Sequence, residues 1–425
     1  MNESESEASI VPIAAKQDSS ESASAWTWVD RCVWTERMLA ALDNGVKGGK
    51  WFSLIDKVCR LDTLETAWRK VKRNQGAAGV DGQSVERFAA QAPKYLAELS
   101  QSLKQGHYRP DAVRRVEIPK APGKTRPLGI PTVKDRIVQM AVKQVTEPIF
   151  EHQFLSMSYG FRPGRSCKDA LREVDACLKA GYTHVVDADL QGYFDTIPHA
   201  QLMARIKEHI SDGRLLDLLD AWLRQEVMQD MERWTPPLGT PQGAVISPLL
   251  ANIYLHWLDE WMTQRDYRMV RYADDFVILC ATADEAQQAL AEVQQWVEAN
   301  GLTLHPDKTR MGDCLRKGQG FEFLGYRFEA GQRWVREKSL KAFKDKVRTK
   351  TRRSRGYSLV TIIADLAPLL RGWYGYFKHA HRFTFSALDG FIRRRLRAIL
   401  RRQSKRPGFG RVHCREKHMA QRAWR

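Results

Sequence analysis

Two adjacent carboxylates, Asp274 and Asp275, stand between the apolar runs Met269-Val270-Arg271 and Phe276-Val277-Ile278-Leu279. The pattern predicts two short strands joined by a tight turn, with both carboxylates at its tip. Neighbouring carboxylates resist ionising together unless they share a cation. Hard divalent ions such as Mg²⁺ take oxygen ligands of this kind. Taken alone, the segment fits either a metal site or a plain hairpin turn. A second acidic segment, Val185-Val186-Asp187-Ala188-Asp189-Leu190, reads as a buried strand with both aspartates on one face. It runs into Gly192-Tyr193-Phe194-Asp195. Paired-metal nucleotidyl transfer needs carboxylates from separate elements converging on two ions. Asp187 and Asp195 read instead as caps of a strand end or of the following helix.

The elements that must position these groups are legible around them. Residues 26–72 alternate apolar and charged positions at helical spacing, and Asn74–Gly82 is a glycine-rich loop that matches neither a dinucleotide fingerprint nor a P-loop. Ala112–Pro119 and Thr125–Pro131 read as strands of a hairpin turning through 120–124, which clusters Lys120, Lys124 and Arg126. Lys134–Phe150 carries a helical apolar stripe, and Ile246–Met262, which follows Pro241-Gln242-Gly243, suits a core helix. Gln242 fits either a nucleotide contact or a simple turn into that helix. Past Val335 the texture is helical. Leu388, Ile392, Leu396 and Ile399 form one stripe, with Arg393, Arg394, Arg397 and Arg401 on the remainder. The dense aromatics of 371–377 read as core.

In order along the chain stand Asn74–Gly82, Arg126-Pro127-Leu128-Gly129-Ile130-Pro131, Tyr159-Gly160-Phe161-Arg162-Pro163 and the Asp189 segment. Pro241-Gln242-Gly243, Tyr272-Ala273-Asp274-Asp275 and Phe323-Leu324-Gly325-Tyr326 follow. From about Trp51 to Arg402 this set resembles the reverse transcriptases, or maturases, encoded by bacterial group II introns, which are RNA-directed DNA polymerases. The resemblance implies an α/β right-hand polymerase: fingers and palm, with an antiparallel palm sheet backed by helices, then an α-helical thumb. The expected divisions are a disordered tail over 1–25, helices over 26–72, fingers and palm over 73–330, a thumb or maturase domain over 335–410, and a basic tail over 411–425.

The same resemblance implies the site. Asp189, Asp274 and Asp275 would bind two Mg²⁺ ions, with the backbone carbonyl of Leu190 completing one shell. Lys120, Arg126, Gln242 and Lys308 would meet the incoming deoxynucleoside triphosphate. Phe194, which the residues alone present as a core side chain, would lie under the sugar and exclude a 2′-hydroxyl. Arg393, Arg394, Arg397 and Arg401 would grip RNA. The implied partners are an RNA template with its DNA primer and group II intron RNA, whose splicing and mobility the protein would aid. Two other readings stand beside this one: a domesticated or host-defence reverse transcriptase without an intron, and an RNA-binding splicing factor. Nothing in the chain resembles the family's His-Asn-His endonuclease domain.

Composition agrees with a nucleic-acid partner. The net charge is +18 and the pI about 9.6. From Lys341 to Arg425 there are 24 Lys or Arg against 4 Asp or Glu, whereas the other residues hold 44 against 46. So local an excess predicts a polyanion-binding surface. The seven scattered cysteines, none in a Cys-x-x-Cys pair, suit a reduced cytoplasm. No run is apolar enough for a membrane span, the start lacks signal-peptide character, and the oligomeric state is left open.

Overall fold

A computed structural model describes residues 26–121, 123–354 and 356–404. The two tails expected at 1–25 and 411–425 lie outside them. The described chain forms two compact units. The first is built from 26–153, 206–235 and 243–246, and the second from 154–205, 236–242 and 247–404. The segment expected as fingers and palm contributes to both.

In the first unit, helices α1 (Glu36–Asn44), α2 (Leu54–Val58), α3 (Leu61–Asn74), α4 (Val85–Ala90) and α5 (Ala92–Gln105) precede the hairpin β1 (Val113–Ala121) and β2 (Lys124–Ile130). The connection between the strands is shorter than the predicted turn, because Lys120 belongs to β1 and Lys124 to β2. Helix α6 (Val133–Glu151) follows and buries Ile137, Val138, Ala141, Val142 and Val145. The Thr132 side chain caps it by accepting from the Asp135 amide. The glycine loop packs against this helix start. A Cβ on Gly79 would lie 2.7 Å from the Thr132 Cα, so the close approach needs glycine. Two short strands, β4 (Val227–Gln229) and β5 (Glu232–Trp234), extend the sheet in the order β2-β1-β4-β5.

The second unit holds helix α7 (Cys167–Lys179), strand β3 (His184–Asp189), the single turn α8 (Tyr193–Thr196) and helix α11 (Ser247–Gln264). Helices α9 (His199–His209) and α10 (Gly213–Leu223) come between the last two along the chain, α10 within the first unit. The hairpin β6 (Arg268–Tyr272) and β7 (Asp275–Cys280), helix α12 (Ala283–Ala299) and strand β8 (Arg310–Asp313) complete an antiparallel sheet of order β6-β7-β3-β8 backed by helices. Both faces of its centre are covered, so Val185, Val186, Val277, Ile278 and Leu279 are buried as near-continuous apolar strands.

Strands β9 (Phe321–Phe323), β10 (Tyr326–Glu329) and β11 (Gln332–Val335) form a second small sheet. Helices α13 (Glu337–Lys350), α14 (Leu359–Phe377) and α15 (Arg382–Gln403) close the described chain. One core joins Val185, Val277, Phe321, Phe323, Tyr326 and Phe377, and another joins Phe343, Leu366, Leu370, Leu388 and Ile392 of the last three helices. This mixed α/β architecture, an antiparallel sheet followed by a helical C-terminal part, is the fold class expected from the sequence. No helix among the described residues is long and apolar enough to cross a membrane.

Candidate active site

Strand pairing does the first work of assembly. In the antiparallel β3–β7 ladder, Asp189 stands opposite Asp275 and Asp187 opposite Val277. Alternation keeps Asp187 and Asp189 on one face. Tyr272 pairs with Asp275, which leaves Ala273 and Asp274 as the two-residue turn between β6 and β7. Ala273 has a φ of +61°, a left-handed conformation that two-residue hairpin turns normally assign to glycine or asparagine. The turn sets Asp274 beside the strand-borne pair.

The carboxylates perturb one another. Burial pushes the Asp275 carboxyl up to about 8, and the charges of Asp187, Asp189 and Asp274 push in the same direction against the pull of Arg336. Burial likewise raises Asp274, with Asp189 adding to the effect. Asp187 is pushed up to about 6 by burial, opposed by Arg310 at 3.8 Å. The expected cap role of Asp187 is therefore corrected. It sits inside β3, paired in register with Arg310 of β8, and belongs to the acidic face. Asp195 is not the cap of α8 either. That place is Gly192, and Asp195 lies in the helix's first turn, where its carboxylate accepts from the Gln242 side-chain Nε2 at 3.0 Å.

A bridge between Leu190 and Leu304 continues the end of β3. The His305 amide donates to the Asp189 carbonyl and the Gln191 amide to the Thr303 carbonyl, both at 2.8 Å. The turn after His305 thereby brings the Lys308 ammonium onto the Asp189 carboxylate. Phe194 is oriented by its neighbour. The Tyr193 ring is buried and its hydroxyl donates to the Ala251 carbonyl at 2.6 Å, while Phe194 stays partly exposed and is not a core side chain. The Thr240 amide donates to the Phe194 carbonyl at 2.6 Å. Gly239 packs so closely that a Cβ there would lie 2.7 Å from the Asp195 backbone.

Lys120 and Arg126 are exposed on β1 and β2 of the first unit. On α15 the apolar stripe is buried at Leu388, Ile392 and Ile399 with Leu396 partly so, whereas Arg393, Arg394 and Arg397 are exposed and Arg401 is half-buried. Arg393 pairs with Asp389 at 2.7 Å. The Phe323–Tyr326 segment turns out to be a docking hairpin. Tyr326 donates to the Tyr376 carbonyl at 2.6 Å, and Tyr376 donates back to the Leu324 carbonyl at 2.7 Å. The aromatic-rich stretch of α14 is thus held to the small sheet, a pairing 50 residues apart that local spacing could not reveal.

The donor set suits a hard divalent cation: Asp189, Asp274 and Asp275 are crowded carboxylates, the last raised chiefly by burial and then by its acidic neighbours, with no soft ligand among them. Among the described residues, no group of three or more His, Cys, Asp or Glu side chains is arranged to hold a metal ion by itself. That is the usual situation for Mg²⁺, which binds through one or two carboxylates and takes its remaining ligands from substrate phosphates and water.

Residues 118–328 match the family described as reverse transcriptase (RNA-dependent DNA polymerase). Residues 340–419 match the group II intron maturase-specific domain. The chain is 35% identical over 318 residues to Protein YkfC of Escherichia coli strain K12, an alignment covering 64% of this chain and 83% of that one. It is 38% identical over 208 residues to the group II intron-encoded protein LtrA of Lactococcus lactis subsp. cremoris, covering 48% of this chain and 34% of LtrA. A chain of a partial Cas6-RT-Cas1–Cas2 complex aligns at 27% identity with a TM-score of 0.37, covering 58% of this chain and 41% of that one.

Proposed function

The chain belongs to the reverse transcriptase family and carries a group II intron maturase-specific segment, and we propose that it copies RNA into DNA and also binds group II intron RNA to aid splicing and mobility. The observation that carries the catalytic half is the ladder register that sets Asp189 against Asp275 with Asp274 on the adjoining turn.

In this reading Asp189, Asp274 and Asp275 would hold two Mg²⁺ ions, and the Leu190 carbonyl would serve as a further ligand. When bound, the ions supply charge neutralisation and a more acidic primer 3′-hydroxyl. The 3′-oxygen displaces pyrophosphate from the α-phosphate of the deoxynucleotide, and its proton passes to solvent. Positioning and electrostatics supply most of the acceleration, so no protein nucleophile is needed. Lys308 already balances the Asp189 carboxylate and offers a cation to the triphosphate as that charge is taken up elsewhere. Lys120 and Arg126 give the hairpin of the first unit a cationic surface of the type that grips phosphate. Phe194, propped by Tyr193 and Gly239, presents its ring as a barrier to a 2′-hydroxyl, and Gln242 buttresses this turn through Asp195.

The maturase half rests on the match at 340–419 and on the basic residues of that segment. Two assays test the reading. RNA-templated primer extension with deoxynucleotides and Mg²⁺ should yield full-length DNA. Splicing of a cognate group II intron RNA should accelerate when the protein is added. Extension without any splicing effect would remove the maturase half alone.

A further inference from the structure

The hairpin turn that carries Asp274 is held by a buried network lying behind it. Arg271 of β6 and Asp259 of α11 are both fully buried and form a two-pronged ion pair, with Nε donating to Oδ1 at 2.7 Å and a second N–H donating to Oδ2. The remaining prong of the guanidinium donates to the Ala273 carbonyl at 3.0 Å and to Asn252 Oδ1 at 3.1 Å. The Asn252 amide in turn donates to the Gly160 carbonyl at 2.8 Å. Gly160 lies against the turn itself, where a Cβ would stand 2.3 Å from the Ala273 nitrogen. The backbone of Arg271 is fixed as well: its amide donates to the Met157 carbonyl and its carbonyl accepts from the Tyr159 amide, both at 2.9 Å.

We propose that Arg271, braced by Asp259 and Asn252, is the positioning residue that locks the Ala273–Asp274 turn in the conformation needed for divalent-cation binding. This inference rests on the aspartates being the metal ligands. The physical argument has three parts. Ala273 is in a left-handed conformation that an alanine adopts only when its surroundings over-determine it. Arg271 and Gly160 supply that constraint from two sides, one by a hydrogen bond to the turn's carbonyl and one by leaving room at its nitrogen. A buried ion pair also contributes little net stability over apolar packing, so its worth here lies in geometry. Lysine cannot replace this arrangement, because one ammonium lacks the rigid planar fork that reaches Asp259, Asn252 and the Ala273 carbonyl together. The turn sets where Asp274 stands, so loosening it should weaken metal binding while leaving distant RNA contacts alone.

The test uses the full chain with bound RNA template, terminated DNA primer and deoxynucleotide, and reads Mn²⁺ binding by electron paramagnetic resonance. Arg271→Lys should weaken Mn²⁺ binding and lower kcat, each by about 10-fold or more, with template–primer affinity unchanged. Gly160→Ala removes neither member of the ion pair and presses directly on Ala273. It should weaken Mn²⁺ binding in the same way, and it carries the test if Arg271→Lys does not fold. Folded variants that bind Mn²⁺ and turn over like the parent would overturn the proposal. Asp274→Asn, measured alongside, separates the two claims. If Asp274→Asn loses Mn²⁺ and activity while the other two variants are normal, only the positioning role fails. If Asp274→Asn itself binds and turns over normally, the underlying metal-ligand reading fails.

Discussion

Asp189 and Asp275 face each other across the β3–β7 ladder, and the Asp275 carboxyl is held up to about 8 by burial and by the neighbouring aspartates. Metal binding requires the ionised form, so it must expel a proton from this carboxyl at neutral pH. Apparent Mg²⁺ affinity should therefore rise with pH up to about 8, by as much as about tenfold per unit, and then level off. Calorimetric titration in buffers of different ionisation enthalpy measures the protons released. A release near zero at pH 7 would contradict the coupling.

The same group predicts a stability effect without metal. The folded carboxyl keeps its proton until about pH 8, whereas an unfolded aspartate loses it near ~3.9. Between those values the folded state binds more protons, so stability falls as pH rises through that window. Asp275→Asn should flatten that part of the profile in thermal unfolding recorded with chelator. An unchanged slope would place the titration elsewhere.

Phe194 tests sugar selection. Its ring is partly exposed while Tyr193 takes the buried position, so truncation should cost little stability, about 1 kcal/mol. Phe194→Ala should raise the ratio of ribonucleotide to deoxynucleotide kcat/KM by about 10-fold, the scale of a modest steric filter. A constant ratio would make Phe194 a packing residue.

The helical C-terminal part predicts salt-dependent RNA binding. Neutralising Arg393, Arg394, Arg397 and Arg401 together should weaken binding. It should also reduce the slope of log affinity against log salt by roughly 0.7 to 0.9 for each phosphate that is no longer neutralised. Arg393 is engaged by Asp389, so Arg393→Gln alone should shift the slope least of the three exposed arginines. Filter binding across a salt series gives both values. An identical slope in the quadruple variant would make these arginines a solvated face.

Sequence patterns exposed much of this arrangement and concealed a definable remainder. The Asp274 hairpin, the Asp189 strand and the α6, α11 and α15 helices were legible because each carries a local period: apolar runs around a turn, or a stripe at helical spacing. The β9–β11 sheet was not, because its strands are only three or four residues long, too short to establish alternation. Asp187 read as a cap because its partner, Arg310, lies more than a hundred residues onward and meets it only through strand pairing. Arg271 was simply part of the run Met269-Val270-Arg271, since its bracing depends on Asp259 of a helix packed behind the strand. A charged residue inside an otherwise apolar strand was the available signal. The return of 206–235 to the first unit left no local mark at all.

RNA-templated primer extension by the parent and by Asp274→Asn, with folding checked by circular dichroism, tests the central claim most directly. The parent should extend a DNA primer with deoxynucleotides only when Mg²⁺ is present. Asp274→Asn should retain the fold and slow extension by at least about 100-fold, because it removes a metal ligand from a turn and leaves the apolar core intact. Comparable extension by the folded Asp274→Asn chain would contradict the assignment of the aspartates as the metal-binding centre of a polymerase.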